Sequence, residues 1–388
     1  MAARARKKKA AAAARPSRDY HPAKRSATAT VSAAGSVAIP RDADDVVLDV
    51  AGRKVKLTNV GKVFWQQAGI TKGDLLQYYA DVAAVLLPHV RERAMVMKRY
   101  PNGAEGEFFF MKRAPQGRPE WIETCSIEHA SGNVIDFPIV NDVASLLWVV
   151  NLGCIDLNQW YARCDDVDRP DYLHFDLDPG DGVPFTQVLE VAQLVNETLQ
   201  RLQLPTFVKT SGSKGIHVYV PIVRGPTQKQ VWEVSKAIAN DLARRHGTLM
   251  TAVYKREARP PGRVLVDYNQ NAWGRTLASV YSVRPRPRAS VSTPVTWAEI
   301  ARGVAIEDFR MDNVPARVRA LGDLWAPLNE SKGRVDLTPL FAPPRSPRSR
   351  SGRPDPRARR SAPWSRPARD RRTLPCALRD TPGGWRCR

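Results

Sequence analysis

The run Asp171-Tyr172-Leu173-His174-Phe175-Asp176-Leu177-Asp178-Pro179-Gly180 sets two carboxylates into a segment with the composition of a buried strand. Side chains alternate along a strand, so Tyr172, His174, Asp176 and Asp178 share one face while Leu173, Phe175 and Leu177 fill the other. Same-face neighbours lie roughly 7 Å apart at their α-carbons, close enough for both carboxylates to hold one hard cation or a pair of them. Left unpaired, the two acids would repel and raise one another's pKa; a divalent ion between them removes that cost. A cap on the Pro179-Gly180-Asp181-Gly182 turn accounts for Asp178 but leaves Asp176 unexplained.

Two further segments carry matching chemistry. Lys209-Thr210-Ser211-Gly212-Ser213-Lys214-Gly215-Ile216-His217-Val218-Tyr219 reads as strand, Gly/Ser turn and strand. The turn offers backbone N–H groups, two hydroxyls and a lysine to an anion such as a triphosphate, and His217 points to the same side as Tyr219. The spacing is not that of a Walker A loop, and taken alone the segment is as simply an ordinary hairpin with a surface lysine. Arg263-Val264-Leu265-Val266-Asp267-Tyr268-Asn269-Gln270-Asn271 is an apolar strand that delivers a third carboxylate, Asp267, near its end. Three strand-borne acids beside a Gly-rich basic turn suit metal-dependent nucleotidyl transfer. There, one ion activates a 3′-hydroxyl, a second clamps the triphosphate, and both neutralise charge at phosphorus.

Outward from these segments, strand-like and helix-like stretches alternate from Val46 to about Leu340, which predicts an α/β or α+β domain. Helical spacing follows Thr71-Lys72-Gly73-Asp74, where Thr71 or Asp74 would cap the start, and recurs over 188–202 and 230–245 as helices that cover a sheet. Strands are predicted over 172–177, 206–209, 216–221 and 264–268.

The chain has 388 residues and a net charge of +21, but that charge is unevenly placed. Residues 1–40 hold 9 Lys/Arg and 1 acid, residues 341–388 hold 14 Arg and 3 acids, and the 300 residues between them hold 37 bases and 35 acids. The basic character therefore belongs to the ends, and any nucleic-acid surface on the folded part must come from local clustering. Residues 1–42 read as a disordered basic Ala/Lys/Arg-rich arm, 43–340 as the folded domain, and 341–388 as a disordered Arg/Pro/Ser-rich tail. No signal-peptide pattern and no apolar stretch of about 20 residues is present, so no membrane association is expected. The five cysteines form no CxxC pair and no zinc spacing, which suits reduced thiols and a cytoplasmic setting.

The order Asp-x-Asp, Ser-Gly-Ser-Lys-Gly-Ile-His and Val-Asp-Tyr-Asn-Gln-Asn resembles the polymerase domain of the bacterial end-joining ligase D, within the archaeo-eukaryotic primase superfamily. The resemblance runs over nearly all of residues 54–330. It implies an α/β catalytic core whose RRM-like sheet holds the acids, with an N-terminal α/β module beside it. It makes Asp176, Asp178 and Asp267 the catalytic, metal-binding carboxylates of a two-metal site taking Mn²⁺ or Mg²⁺. Ser211, Lys214, His217 and Arg284 would hold the phosphates of the incoming nucleotide. Leu57-Thr58-Asn59-Val60-Gly61-Lys62-Val63 and Gly69-Ile70-Thr71-Lys72 resemble the family's pocket for a 5′-phosphate, which points to Lys62 and Lys72. Lys98-Arg99-Tyr100-Pro101-Asn102-Gly103 and Phe108-Phe109-Phe110-Met111-Lys112 resemble the family's template-facing region; there Phe109 and Phe110 would stack on bases and Lys112 would contact phosphate, with at least one of the three phenylalanines in the core.

The departures are Asn158 in Asp156-Leu157-Asn158-Gln159-Trp160, where family members often carry His, Asp181 in place of Glu, and Val280 in place of Pro. No Lys-x-Asp-Gly ligase motif is present, so a stand-alone polymerase is expected. The resemblance thus implies template-directed filling of gaps or extension of ends with ribo- or deoxyribonucleotides during non-homologous end joining. The partners would be DNA with a 5′-phosphate, NTP or dNTP, a Ku-type end-binding protein and a separate DNA ligase, at the nucleoid. A primase that starts strands de novo, or a catalytically weak DNA-end-binding scaffold, are the alternatives.

Overall fold

The described residues of the computed structural model, 26–31 as backbone and 37–341, open with a small sheet. Strand β1 (Ser26–Val31) pairs in parallel with β2 (Asp45–Val50), which turns back into β3 (Arg53–Leu57). Ala51 and Gly52 join the two at φ of 51° and 79°, the left-handed pair that a two-residue hairpin of this twist demands. Val37 and Ile39 are buried, so the fold begins ahead of residue 43. The arm expected over 1–42 therefore contributes a strand and two core side chains, which the surrounding basic, Ala-rich composition masks. Residues 1–25, 32–36 and 342–388, and with them the expected C-terminal tail, lie outside the described residues.

A ribbon of β4 (Val63–Trp65) and β5 (Ile70–Thr71) leads into α1 (Lys72–Asp81). Thr71 is its N-cap and Asp74 its third residue: each side chain accepts from the other's backbone N–H, a capping box. Helices α2 (Ala83–Val90) and α3 (Val143–Asn151) pack with α1 over this N-terminal module.

Two larger sheets make the core. The first, in order β16-β10-β6-β7, contains β6 (Met95–Arg99), β7 (Phe109–Met111), β10 (Cys154–Trp160) and β16 (Thr276–Ala278), all antiparallel. A hairpin of β8 (Thr124–Glu128) and β9 (Val134–Pro138) sits beside it. The second sheet runs β14-β15-β11-β13-β12-β17. Its strands are β11 (Tyr172–Pro179), β12 (Phe207–Thr210), β13 (Ile216–Pro221), β14 (Met250–Thr251), β15 (Val264–Asp267) and β17 (Pro294–Val295). Helices α4 (Phe185–Arg201) and α5 (Gln228–Arg245) pack on β11 and β15, and Leu173, Phe175 and Leu177 are fully buried. The central antiparallel strands with two helices on one face are RRM-like, and the opposite face carries the polar residues.

Cys125 on β8 and Cys164 after β10 are joined by a disulfide, with Cα atoms 5.8 Å apart. This corrects the expectation of reduced thiols. The partners are 39 residues apart and meet only because the hairpin folds back onto β10, which no spacing motif encodes. Among the described residues no helix is long and apolar enough to cross a membrane.

Candidate active site

Register brings the three acids together. Asp176 on β11 lies directly between Asp267 on β15 and His217 on β13, and Asp178 follows two residues along on the same face. Asp267 is held from its own loop: Asn269 donates its backbone N–H to Oδ1 at 2.7 Å and Gln270 its amide to Oδ2 at 3.0 Å. Asn271, fully buried, accepts from the His174 N–H at 3.0 Å and donates to the His174 carbonyl at 2.7 Å, so its side chain extends the ladder past the end of β15.

The acids are electrostatically crowded. Burial pushes the Asp176 carboxyl up to about 6, against the pull of Lys209 and Arg284. Asp178 rises to about 7, chiefly because of the Asp176 charge, then burial and Asp267. Burial also raises Asp267. Asp176 Oδ1 is buried without a hydrogen bond of good geometry. A hard oxygen donor set with mutual repulsion fits a divalent ion such as Mg²⁺ or Mn²⁺. Among the described residues no three His, Cys, Asp or Glu side chains converge into a ready metal cage.

His217 does not face open space. It is buried, its Nε2 is 3.2 Å from Asp176 Oδ1, and its Nδ1 is 2.8 Å from the Lys209 ammonium. Burial, then Lys209, holds the imidazole pKa well below its usual value. A neutral His217 that accepts at Nδ1 carries its proton on Nε2, toward the carboxylate. Lys209, fully buried, also reaches Ser292 Oγ at 2.5 Å and the Ala278 carbonyl at 3.1 Å, tying the second sheet to the first.

The Gly/Ser turn differs from the expected anion cradle. Ser211 is buried and its Oγ accepts from the backbone N–H groups of Ser213, Lys214 and Gly215, so the turn's own hydroxyl fills the nest. Ser213 is the residue at the cavity, where Arg286 donates to its Oγ at 2.6 and 3.1 Å. This cavity, of about 350 Å³, is lined by Lys98, Tyr100, Phe108, Ser213, Arg284 and Arg286 among others. Lys214 is exposed on the far side of the turn, lining a second opening with Gly180 and Phe185. Gly212 sits at φ 65°, and a Cβ on Gly215 would come within 2.2 Å of the Leu177 carbonyl. Only glycine lets the turn lie against β11 beside Asp178.

Phe108, Phe109 and Phe110 are 50%, 46% and 57% exposed, so none of the three is core. Strand β7 is the sheet edge, and its aromatics pack on one another and on cations. Phe108 meets Phe110 edge-on at 5.8 Å, with Lys98 Nζ 4.1 Å from the Phe108 ring and Arg99 5.2 Å from that of Phe109. Beyond Phe110 a cavity of about 220 Å³ is lined by Lys112, His129, Trp160, Gln270 and Arg275. Gln270 joins it to Asp267.

Lys62 and Lys72 are neighbours, since the Lys72 N–H donates to the Lys62 carbonyl at 2.8 Å. Lys62 is exposed, its ammonium 2.7 Å from the Pro101 carbonyl. Lys72 is buried, and its ammonium donates to the Thr58 carbonyl at 2.6 Å. Asn158 turns its amide to the Asp156 carbonyl at 3.2 Å. Sequence reading did not name Lys98, Asp156, Lys209, Ser213, Gln270 or Arg286 as site residues. All but Arg286 lay within segments already singled out; for Arg286 only the folded structure, which brings it to Ser213, supplies the signal.

The comparisons identify the family. A family model described as LigD, primase-polymerase domain matches residues 71–325. The multifunctional non-homologous end joining protein LigD of Mycolicibacterium smegmatis is 35% identical over 305 residues, 78% of this chain and 39% of that protein. LigD of Pseudomonas aeruginosa is 32% identical over 68% of this chain and 32% of its own. The chain thus spans between about a third and two fifths of these relatives. The solved polymerase domain from Mycobacterium tuberculosis Ligase D in complex with DNA is 32% identical, with a TM-score of 0.67, over 71% of this chain and 98% of that one. Fold, site geometry and comparisons together make this chain a member of the LigD primase-polymerase domain family.

Proposed function

We propose that this chain is a template-directed nucleotidyltransferase that fills gaps or extends ends of DNA carrying a 5′-phosphate during non-homologous end joining, using NTP or dNTP. The observation that carries the reading is the set of three strand-borne carboxylates in adjoining register, beside a cavity lined by Lys98, Arg284 and Arg286. Asp176, Asp178 and Asp267 would hold two Mn²⁺ or Mg²⁺ ions. Such ions, when bound, supply a lowered pKa at the attacking 3′-hydroxyl and charge neutralisation at phosphorus. His217 and Lys209 keep Asp176 aimed from behind. The cavity's cations receive the triphosphate, with the Arg guanidinium groups suited to paired contacts. Phe109, Phe110 and Lys112 take the template strand through stacking and a phosphate contact.

Lys62 contacts the 5′-phosphate, while Lys72 shapes that pocket from inside. A Ku-type end-binding protein, a separate ligase and a cytoplasmic, nucleoid-associated setting complete the proposal.

The test is extension across a short gap in Mn²⁺, with the downstream strand bearing a 5′-phosphate or a 5′-hydroxyl, in the wild type and Lys62→Ala. The reading expects faster extension with the phosphate and loss of that advantage in Lys62→Ala. Equal rates on both substrates would remove the end-recognition step. Synthesis without any primer would turn the reading toward a primase, and DNA binding without extension toward a scaffold.

A further inference from the structure

We infer that Asp156 is the positioning residue that holds Lys98 and Arg284 together as one phosphate-binding unit. The inference rests on the nucleotide reading of the cavity those cations line. Asp156 is 1% exposed and lies behind the cavity rather than on its wall. Its Oδ2 is 3.3 Å from Lys98 Nζ and 3.6 Å from Arg284 Nε. Arg284 in turn donates to the Ser211 carbonyl at 2.8 Å, so one carboxylate oxygen links the first sheet to the catalytic turn.

The backbone is built to place it there. Strand β10 pairs with β6 through Cys154↔Arg99 and then Asp156↔Lys98, a register slip that leaves Ile155 unpaired as a bulge. In an unbroken ladder Ile155 would oppose Lys98, and Asp156 would oppose Met97 on the other face. The bulge therefore exchanges an isoleucine for a carboxylate opposite the lysine, as bulges beside active sites do when they re-aim a side chain. The placement is costly: Asp156 Oδ1 and Arg284 Nε are both buried without a hydrogen bond. Packing alone gives no reason for a carboxylate there. Without it, the two cations lose the carboxylate they share within 4 Å and separate, opening the cradle before the nucleotide arrives.

The test is steady-state extension of a primed gap as a function of nucleotide concentration, with Asp156→Asn, Asp156→Glu, Lys98→Ala, Arg284→Ala and the Lys98→Ala/Asp156→Asn pair. Asp156→Asn is expected to raise KM for the nucleotide about tenfold, with kcat changing less and affinity for 5′-phosphorylated DNA unchanged. Asp156→Glu, which keeps the charge, should restore most of the loss. The double variant should fall well short of the product of the two single effects, because Asp156 acts through Lys98. A KM for Asp156→Asn at or below the wild-type value, or multiplicative effects in the double variant, would overturn the assignment. If circular dichroism shows that Asp156→Asn does not fold, Asp156→Ser takes its place. An unchanged KM in both Lys98→Ala and Arg284→Ala would instead remove the nucleotide reading of the cavity. That outcome is distinct, because the Asp156 assignment fails alone when those two variants are impaired and either Asp156→Asn is not or the double variant is multiplicative.

Discussion

At the scale of single residues, Asp176 and Asp178 tie stability to pH and, on the proposed reading, would tie it to metal. Their folded pKa values, about 6 and about 7, lie above the ordinary value of 3.8. The folded state therefore keeps protons that the unfolded chain has released, and stability falls as pH rises from about 4 to 7. Thermal unfolding in EDTA should show a lower Tm at pH 8 than at pH 5.5, and Asp178→Asn should remove much of that difference. Mn²⁺ at pH 8 should raise the wild-type Tm and leave that of Asp176→Asn/Asp178→Asn unmoved; equal shifts in both would place the ion elsewhere. The acids were legible in the sequence because a carboxylate on a strand flanked by Leu173, Phe175 and Leu177 has no bland explanation. Arg286 was not, because an arginine reads as a solvated side chain until the fold brings it to the Gly/Ser turn, and Lys98 was legible only as part of a template-facing run, not as a cation at the cavity. Ser211 misled for a local reason: a serine two to four residues ahead of free N–H groups satisfies them itself.

At the scale of elements, the turn between β12 and β13 and the edge strand β7 make separate predictions. Gly215→Ala would drive a methyl group into the Leu177 carbonyl of β11, so the turn must shift away from Asp178. Extension should fall by about tenfold or more while Tm drops by only a few degrees, since the strain is local. Unchanged extension would show that the turn's seat on β11 is unimportant. Phe109→Ala and Phe110→Ala should each weaken binding to a template overhang by about 1–3 kcal/mol, measured by fluorescence anisotropy, with little change in Tm because both rings are largely exposed. A fall in Tm with unchanged affinity would assign them to the fold instead. The strands were legible from alternation, and β13 begins and ends at the residues read from sequence. The exposure of all three phenylalanines was not, because three consecutive aromatic residues carry no signal of which sheet edge they will occupy.

At the scale of the whole molecule, a buried ion network joins the N-terminal module to the catalytic sheet. Arg93 is buried and donates to both oxygens of Asp171 at 2.7 and 2.8 Å; Arg163 reaches the same carboxylate at 3.0 Å, and Arg334 its backbone carbonyl at 2.9 Å. Burial pushes the Asp171 carboxyl up, but Arg93 and then Arg163 outweigh it and leave the pKa below 3.8. Its contribution is complete above that value and is lost as pH falls through the lowered folded pKa. Asp171→Asn should cost about 3–5 kcal/mol by urea unfolding at pH 7, because three cations lose their counter-charge, and the deficit should shrink below pH 3. Such long-range closure was invisible in the sequence, where Arg93 and Asp171 are two charges among many. The central claim is that the same closure delivers three carboxylates to one polymerase site. It is tested most directly by single-nucleotide addition across a one-nucleotide gap in Mn²⁺. The wild type should add the base complementary to the template, and Asp176→Asn, folded and still binding the DNA, should be slower by at least about a hundredfold. Addition by Asp176→Asn at the wild-type rate, or none by a wild type that binds the gap, would contradict the account.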